Sequence, residues 1–175
     1  YDFDGKGLSW NVQNALSNRV SNSYDGQNHV TNTVSEAGIT NAFVYDIRHN
    51  LLIKREAVGT YAERTTGYGY DSLNRLRFVT NAMGTAEQTV TEYTYTSTHH
   101  IDTITEAKGR AEERVTDYNY NSRGLLEEKT EGNGSRVTGY IYDSYGNPDT
   151  VTSTDAGTID YDYNAAGLLT QAKDQ

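Results

Sequence analysis

An aromatic residue, a spacer, a tyrosine and usually an Asp or Asn return along this chain every 21 to 25 residues. The second aromatic of the phrase is Tyr24, Tyr45, Tyr70, Tyr95, Tyr120, Tyr142 and Tyr163, at steps of 21, 25, 25, 25, 22 and 21 residues. A period in this range marks a repeat array, in which each unit is one supersecondary element that cannot bury its apolar face alone. No catalytic constellation stands out against it. Residues 24–175 read as seven such units in one continuous repeat domain, and residues 1–23 as one or two degenerate units around Trp10.

Taking the second tyrosine as position zero, residues two apart share one face of a strand. Phe43/Tyr45, Tyr68/Tyr70, Tyr93/Tyr95, Tyr118/Tyr120, Tyr140/Tyr142 and Tyr161/Tyr163 are therefore each expected to put two rings on one face. Their flanks are rich in Thr, Val and Ile, which fit a pleated surface. Position +1 is Asp25, Asp46, Asp71, Thr96, Asn121, Asp143 and Asn164, mostly residues whose side chains bond the backbone two residues on and start turns.

Position +4 is Asn28, His49, Asn74, His99, Gly124, Gly146 and Gly167. These residue types share a tolerance of positive φ, which predicts the left-handed residue of a tight hairpin turn. Position +6 is mostly Val, Ile or Leu, the first inward residue of a returning strand. A second glycine follows at +14 (Gly38, Gly59, Gly84, Gly109, Gly134) or +15 (Gly157), and the length variation falls after it. Insertions gather at surface loops, so this is the wider turn. The expected fold is all-β, an antiparallel meander of about fourteen strands, two per unit, in a curved or spiralling strip.

Composition agrees with a thin sheet. Mean hydropathy is −0.77 and only 35% of residues are hydrophobic, while fifteen tyrosines can bury a ring and keep the hydroxyl wet. A net charge of −9 disfavours nucleic acid and anionic membrane surfaces. No apolar run approaches the ~20 residues of a membrane span. Tyr1 begins neither with Met nor with a signal-peptide pattern, so the chain reads as an excerpt.

Tyr68-Gly69-Tyr70-Asp71-Ser72-Leu73-Asn74-Arg75-Leu76, Tyr140-Ile141-Tyr142-Asp143-Ser144-Tyr145-Gly146-Asn147 and Tyr118-Asn119-Tyr120-Asn121-Ser122-Arg123-Gly124-Leu125-Leu126 resemble the YD-repeat or Rhs-repeat family. The resemblance spans about residues 22–175. That family includes Rhs toxins, the shell components of Tc toxins and the barrel of teneurins. It implies a long β-strip spiralling into a hollow shell that encloses a C-terminal toxin domain, in a protein secreted or displayed at the cell surface. It also implies no catalytic residues in the repeat. The Asp-Pro motifs of the family's self-cleaving segment are missing here, since the only proline, Pro148, follows Asn147.

Individual candidate sites carry little. His99 and His100 are adjacent and point to opposite faces of a strand, and His99 and His49 occupy the left-handed slot, so no metal ligand is assigned. His29 and His100 sit at +5, read as a surface turn position. The Asp at +1 lacks the nonapeptide spacing of calcium-binding β-rolls. Glu112/Glu113, Glu127/Glu128 and Glu131 read as a solvated acidic face. With no cysteine and no nucleophile motif, no enzyme activity and no cofactor is expected. The expected partners are the remainder of the polypeptide or other copies joined through strand edges, and an enclosed toxin domain. The alternative is an adhesin or carbohydrate-binding array that presents tyrosine rings to glycans.

Overall fold

The computed structural model describes residues 2–3, 8–13 and 19–175. Among them there is no helix, and sixteen strands are present. The chain divides into two compact units, Tyr1–Val90 and Thr91–Gln175. The first carries β1 (Asp2–Phe3), β2 (Ser9–Gln13), β3 (Arg19–Tyr24), β4 (Val30–Ser35), β5 (Thr40–Tyr45), β6 (Leu51–Glu56), β7 (Arg64–Tyr70) and β8 (Leu76–Asn81). The second carries most of β9 (Thr89–Tyr95), then β10 (Ile101–Glu106), β11 (Arg114–Tyr120), β12 (Leu126–Glu131), β13 (Arg136–Tyr142), β14 (Pro148–Ser153), β15 (Gly157–Tyr163) and β16 (Leu169–Asp174).

Within each unit every strand pairs antiparallel with its neighbours in chain order. This is an all-β hairpin meander. The strands β3 to β16 form seven hairpins, one per repeat, and each repeat's second tyrosine ends the first strand of its hairpin. Residues 14–18, within the degenerate N-terminal units, lie outside the described residues.

The turns explain why the strands end where they do. In every repeat the +1 N–H donates to the +5 carbonyl and the +4 N–H donates to the +1 carbonyl, as in Asp71–Arg75 at 2.9 Å and Asn74–Asp71 at 3.0 Å. Such a turn needs a left-handed residue at +4. All seven residues there have positive φ, from 68° at Asn74 to 94° at Gly146. The register skips one residue beside each second tyrosine (Gly69↔Phe78, then Tyr70↔Leu76), a bulge that re-aims the returning strand.

The wider turns have their own repeated build. In three of them +12 is an alanine held left-handed, Ala57, Ala82 and Ala107, at φ 52°, 48° and 49°. The N–H of the next residue then rejoins the ladder, with Met83 donating to the Thr65 carbonyl at 2.9 Å. Gly59, Gly84 and Gly109 follow at φ 77°, 84° and 76°. Their N–H groups are capped by the side chains of Glu63, Gln88 and Glu113 at 2.8, 2.9 and 2.6 Å. Glu113 therefore has a turn-capping bond, rather than being only part of a solvated face. The remaining second glycines, Gly38, Gly134 and Gly157, are left-handed as well, at 75°, 91° and 78°.

No apolar side chain among the described residues is fully buried. Glu92 is the one buried charged residue among them, at 7% exposure, and it is ion-paired with Lys108. The seven tyrosines at position zero are all half-buried. Within each unit the described strands are held by their ladders and by contacts along their edges, with no buried apolar core among the described residues.

Candidate functional site

Within each unit the tight turns of successive repeats stand side by side along one edge, and this edge gathers specific polar chemistry. At each Asx turn one side-chain oxygen accepts two backbone N–H bonds. Asp143 Oδ1 takes those of Tyr145 and Asn147 at 2.8 and 2.9 Å, and Asn164 Oδ1 takes those of Ala166 and Leu168, both at 3.0 Å. Thr96, the one residue at +1 that is not Asx, manages a single longer bond from the His100 N–H at 3.2 Å.

The second carboxylate oxygen takes the +5 side chain. Asp46 and Asp143 accept the Asn50 and Asn147 amides at 2.9 and 3.0 Å, and Asp71 pairs with Arg75 at 2.7 Å. Asp25 accepts His29 Nδ1 at 2.8 Å. Hydrogen bonds to the charged form favour ionisation. The His29 side-chain bond therefore draws the Asp25 carboxyl down to about 2. Asp46 and Asp143 are lowered chiefly by the Asn50 and Asn147 amides, and Asp71 chiefly by the Arg75 backbone N–H.

The +5 side chain also reaches the next repeat. His29 lies stacked on Tyr45 with ring centroids 4.6 Å apart, and its Nε2 meets His49 Nδ1 at 2.6 Å. Asn50 donates to Asn74 Oδ1 at 2.5 Å. His100 stacks on Tyr120 at 4.7 Å, above Gly124. His29 and His100 are thus half-buried junction residues, not the surface turn positions expected of them. Sequence spacing could not expose this, because each partner is about twenty residues away.

The tyrosines close the same junction. Tyr70, Tyr142 and Tyr163 donate their hydroxyls to the carbonyls of Leu51, Leu126 and Pro148, the +6 residues of the preceding repeats, at 3.0, 2.7 and 2.9 Å. Partial burial raises these phenols above their ordinary value, and Asp46 adds to the effect at Tyr70. They remain protonated donors. Tyr24 accepts a long bond from the Asn22 amide at 3.5 Å, and Tyr95 pairs across the ladder with Ile101.

Between neighbouring tight turns lie open grooves. One, of about 720 Å³, is lined by Asp143, Tyr145, Asn147, Tyr163 and Asn164 together with the Ala165–Gly167 turn. Grooves of about 390 and 240 Å³ lie at His100/Tyr120 and at Asn50/Tyr70. Turn tips stand clear of the sheet beside them, with Tyr145 and Ile47 both 90% exposed. The Asx oxygens of the turns are already bonded to backbone N–H groups, so the edge offers shape, aromatic surface and amide donors more than free acceptors.

No protein-family model and no curated protein sequence matches this chain. Solved structures do. The chain superposes on a TcdB2–TccC3–Cdc42 complex with a TM-score of 0.74 at 14% identity, over 89% of its length. The Tc holotoxin pore of Photorhabdus luminescens gives 0.75 at 14% identity over 98%, and TcdB2–TccC3 without its hypervariable C-terminal region gives 0.75 at 14% over 89%. The chain spans only 9–12% of those proteins. At this identity the likeness is one of fold, and the fold shared is the antiparallel hairpin meander found in these Tc toxin complexes.

Proposed function

We propose that this chain is a non-catalytic wall segment of an Rhs/YD-type shell, which encapsulates or displays a C-terminal toxin domain. The observation that supports it best is the junction itself. Repeats commit their tyrosine to the preceding repeat, as Tyr70, Tyr142 and Tyr163 do, and their +5 side chain to the next, as His29, Asn50 and His100 do, which suits building a wall. The fold shared with Tc toxin complexes points the same way. Extended by further repeats, the strip would twist and curl, since stacked β-strands carry a fixed right-handed twist. Its partners are then more of its own polypeptide and the enclosed domain, in a secreted or surface-delivered protein. The test is limited proteolysis of the complete gene product. Its C-terminal region should resist digestion with the repeats present and be cut within minutes when expressed alone; equal sensitivity would overturn the shell.

The grooves support one alternative. Tyr145, Tyr163 and the Asx side chains around them form an aromatic, amide-rich edge suited to a saccharide face, as an adhesin would use. Glycan-array binding that disappears in Tyr145→Ala would favour it over the shell.

A further inference from the structure

Among the described residues, Asp25, His29 and His49 form a hydrogen-bonded line across two repeats that the shell reading does not require. Asp25 Oδ2 holds His29 Nδ1 at 2.8 Å, which turns Nε2 of the same ring toward His49 Nδ1 at 2.6 Å. The His29 ring is fixed from below by its stack on Tyr45. His49 is exposed and stands on a left-handed turn residue. A carboxylate behind one imidazole is the usual outer-shell support of a metal-ligating histidine, because it sets the tautomer and raises the basicity of the far nitrogen.

We infer that His29 Nε2 and His49 Nδ1 together form a binding site for a divalent transition ion such as Zn²⁺, which would clip the first two hairpins together. Two imidazole nitrogens on one Zn²⁺, each at about 2.0–2.1 Å, lie a little over 3 Å apart. The exposed His49 ring needs to swing out by roughly 0.7 Å from its hydrogen-bonded position. No three His, Cys, Asp or Glu side chains gather around a common point among the described residues. The ion would therefore have two protein ligands, with water completing its shell and Asp25 acting only through His29. Imidazole suits Zn²⁺, Ni²⁺ and Cu²⁺ and excludes Ca²⁺ and Mg²⁺ as competitors.

The chain supplies its own controls. Asn occupies the left-handed slot at Asn28 and Asn74, and the +5 slot at Asn50 and Asn147, where it bonds the Asp at +1. His49→Asn and His29→Asn therefore remove the ligands while keeping the local geometry. Calorimetric titration of the untagged full chain with ZnCl₂ should show one site. It should weaken at least tenfold in either variant, about tenfold in Asp25→Asn, and not at all in His99→Asn. Equal affinity in wild type and His49→Asn, or no binding in wild type, would reduce the contact to a hydrogen-bonded pair only and overturn the site. Should a variant fail to fold, imidazole ¹⁵N spectra of the wild type decide. Unmoved His29 and His49 signals on adding Zn²⁺ would sink the proposal.

Discussion

The Tyr142 hydroxyl donates to the Leu126 carbonyl at 2.7 Å, tying the last residue of one hairpin's first strand to the opening of the previous hairpin's return strand. Tyr70 with Leu51 and Tyr163 with Pro148 repeat the relationship at 3.0 and 2.9 Å. Ring and hydroxyl can be separated by mutation. Tyr142→Phe should cost about 0.5–1.5 kcal/mol, the net worth of one hydrogen bond. Tyr142→Ala should cost ~2–4 kcal/mol, because the half-buried ring goes too. Urea unfolding of both variants checks this, and equal losses would mean that the ring contributes nothing.

Ala82 is held at φ 48°, where a side chain is strained by roughly 1–2 kcal/mol. Glycine relieves that strain but gains freedom in the unfolded chain. Ala82→Gly should therefore stabilise by about 0.5–1 kcal/mol net. Ala82→Val should destabilise by more than ~1 kcal/mol. A denaturation midpoint that falls in the glycine variant would show that the loop is not strained at this residue.

Gly146 sits at φ 94°, and a Cβ placed there would lie 3.2 Å from an Arg123 guanidinium nitrogen, the far end of a flexible side chain. Space is therefore not the obstacle; backbone conformation is. Gly146→Val should cost about 1–3 kcal/mol. Gly146→Asn should stay within ~0.5 kcal/mol, since Asn74 fills the equivalent slot at φ 68°. Matching losses in thermal melts would contradict the turn assignment.

Acid should loosen the first tight turn late. The Asp25 carboxyl is lowered from 3.8 to about 2, first by the His29 side chain and then by its backbone N–H. A lowered folded value means that the charged form is bound more tightly in the folded chain. The resulting stability is fully present above about 3.8 and is lost as pH falls toward 2. Asp25→Asn should flatten the acid limb of the stability profile in that window by lowering the plateau above about 3.8 toward the acid value. Equilibrium unfolding at a series of pH values reads this directly.

Much of the turn chemistry is legible from local signals. An Asp or Asn at +1 bonds N–H groups only two and four residues ahead, and a Gly, Asn or His at +4 advertises positive φ, so both stand out from spacing alone. Ala82 advertises nothing, because alanine is the residue least expected to be left-handed. The only written trace was the recurrence of small residues at Ala57, Ala82, Ala107 and Gly132, two before a glycine. The junctions were less legible still. His29 touches His49 and Tyr45, but that contact depends on how two hairpins are placed across their ladder, which no local pattern encodes. Nor did the tyrosines' partners follow from a shared strand face. The hydroxyl of Tyr70 reaches a backbone carbonyl, a group every residue carries and sequence cannot mark.

The absence of any fully buried apolar side chain among the described residues has a consequence for how damage spreads. A protein organised around one core tends to fail as a whole once that core is breached. Within each unit a hairpin leans on its neighbours in the ladder, so stability is close to a sum of local and nearest-neighbour contributions. A lesion at one junction should fray the adjoining hairpins and stop there. A long strip of such units could lose or gain a repeat, or tolerate a poor one, and still stand.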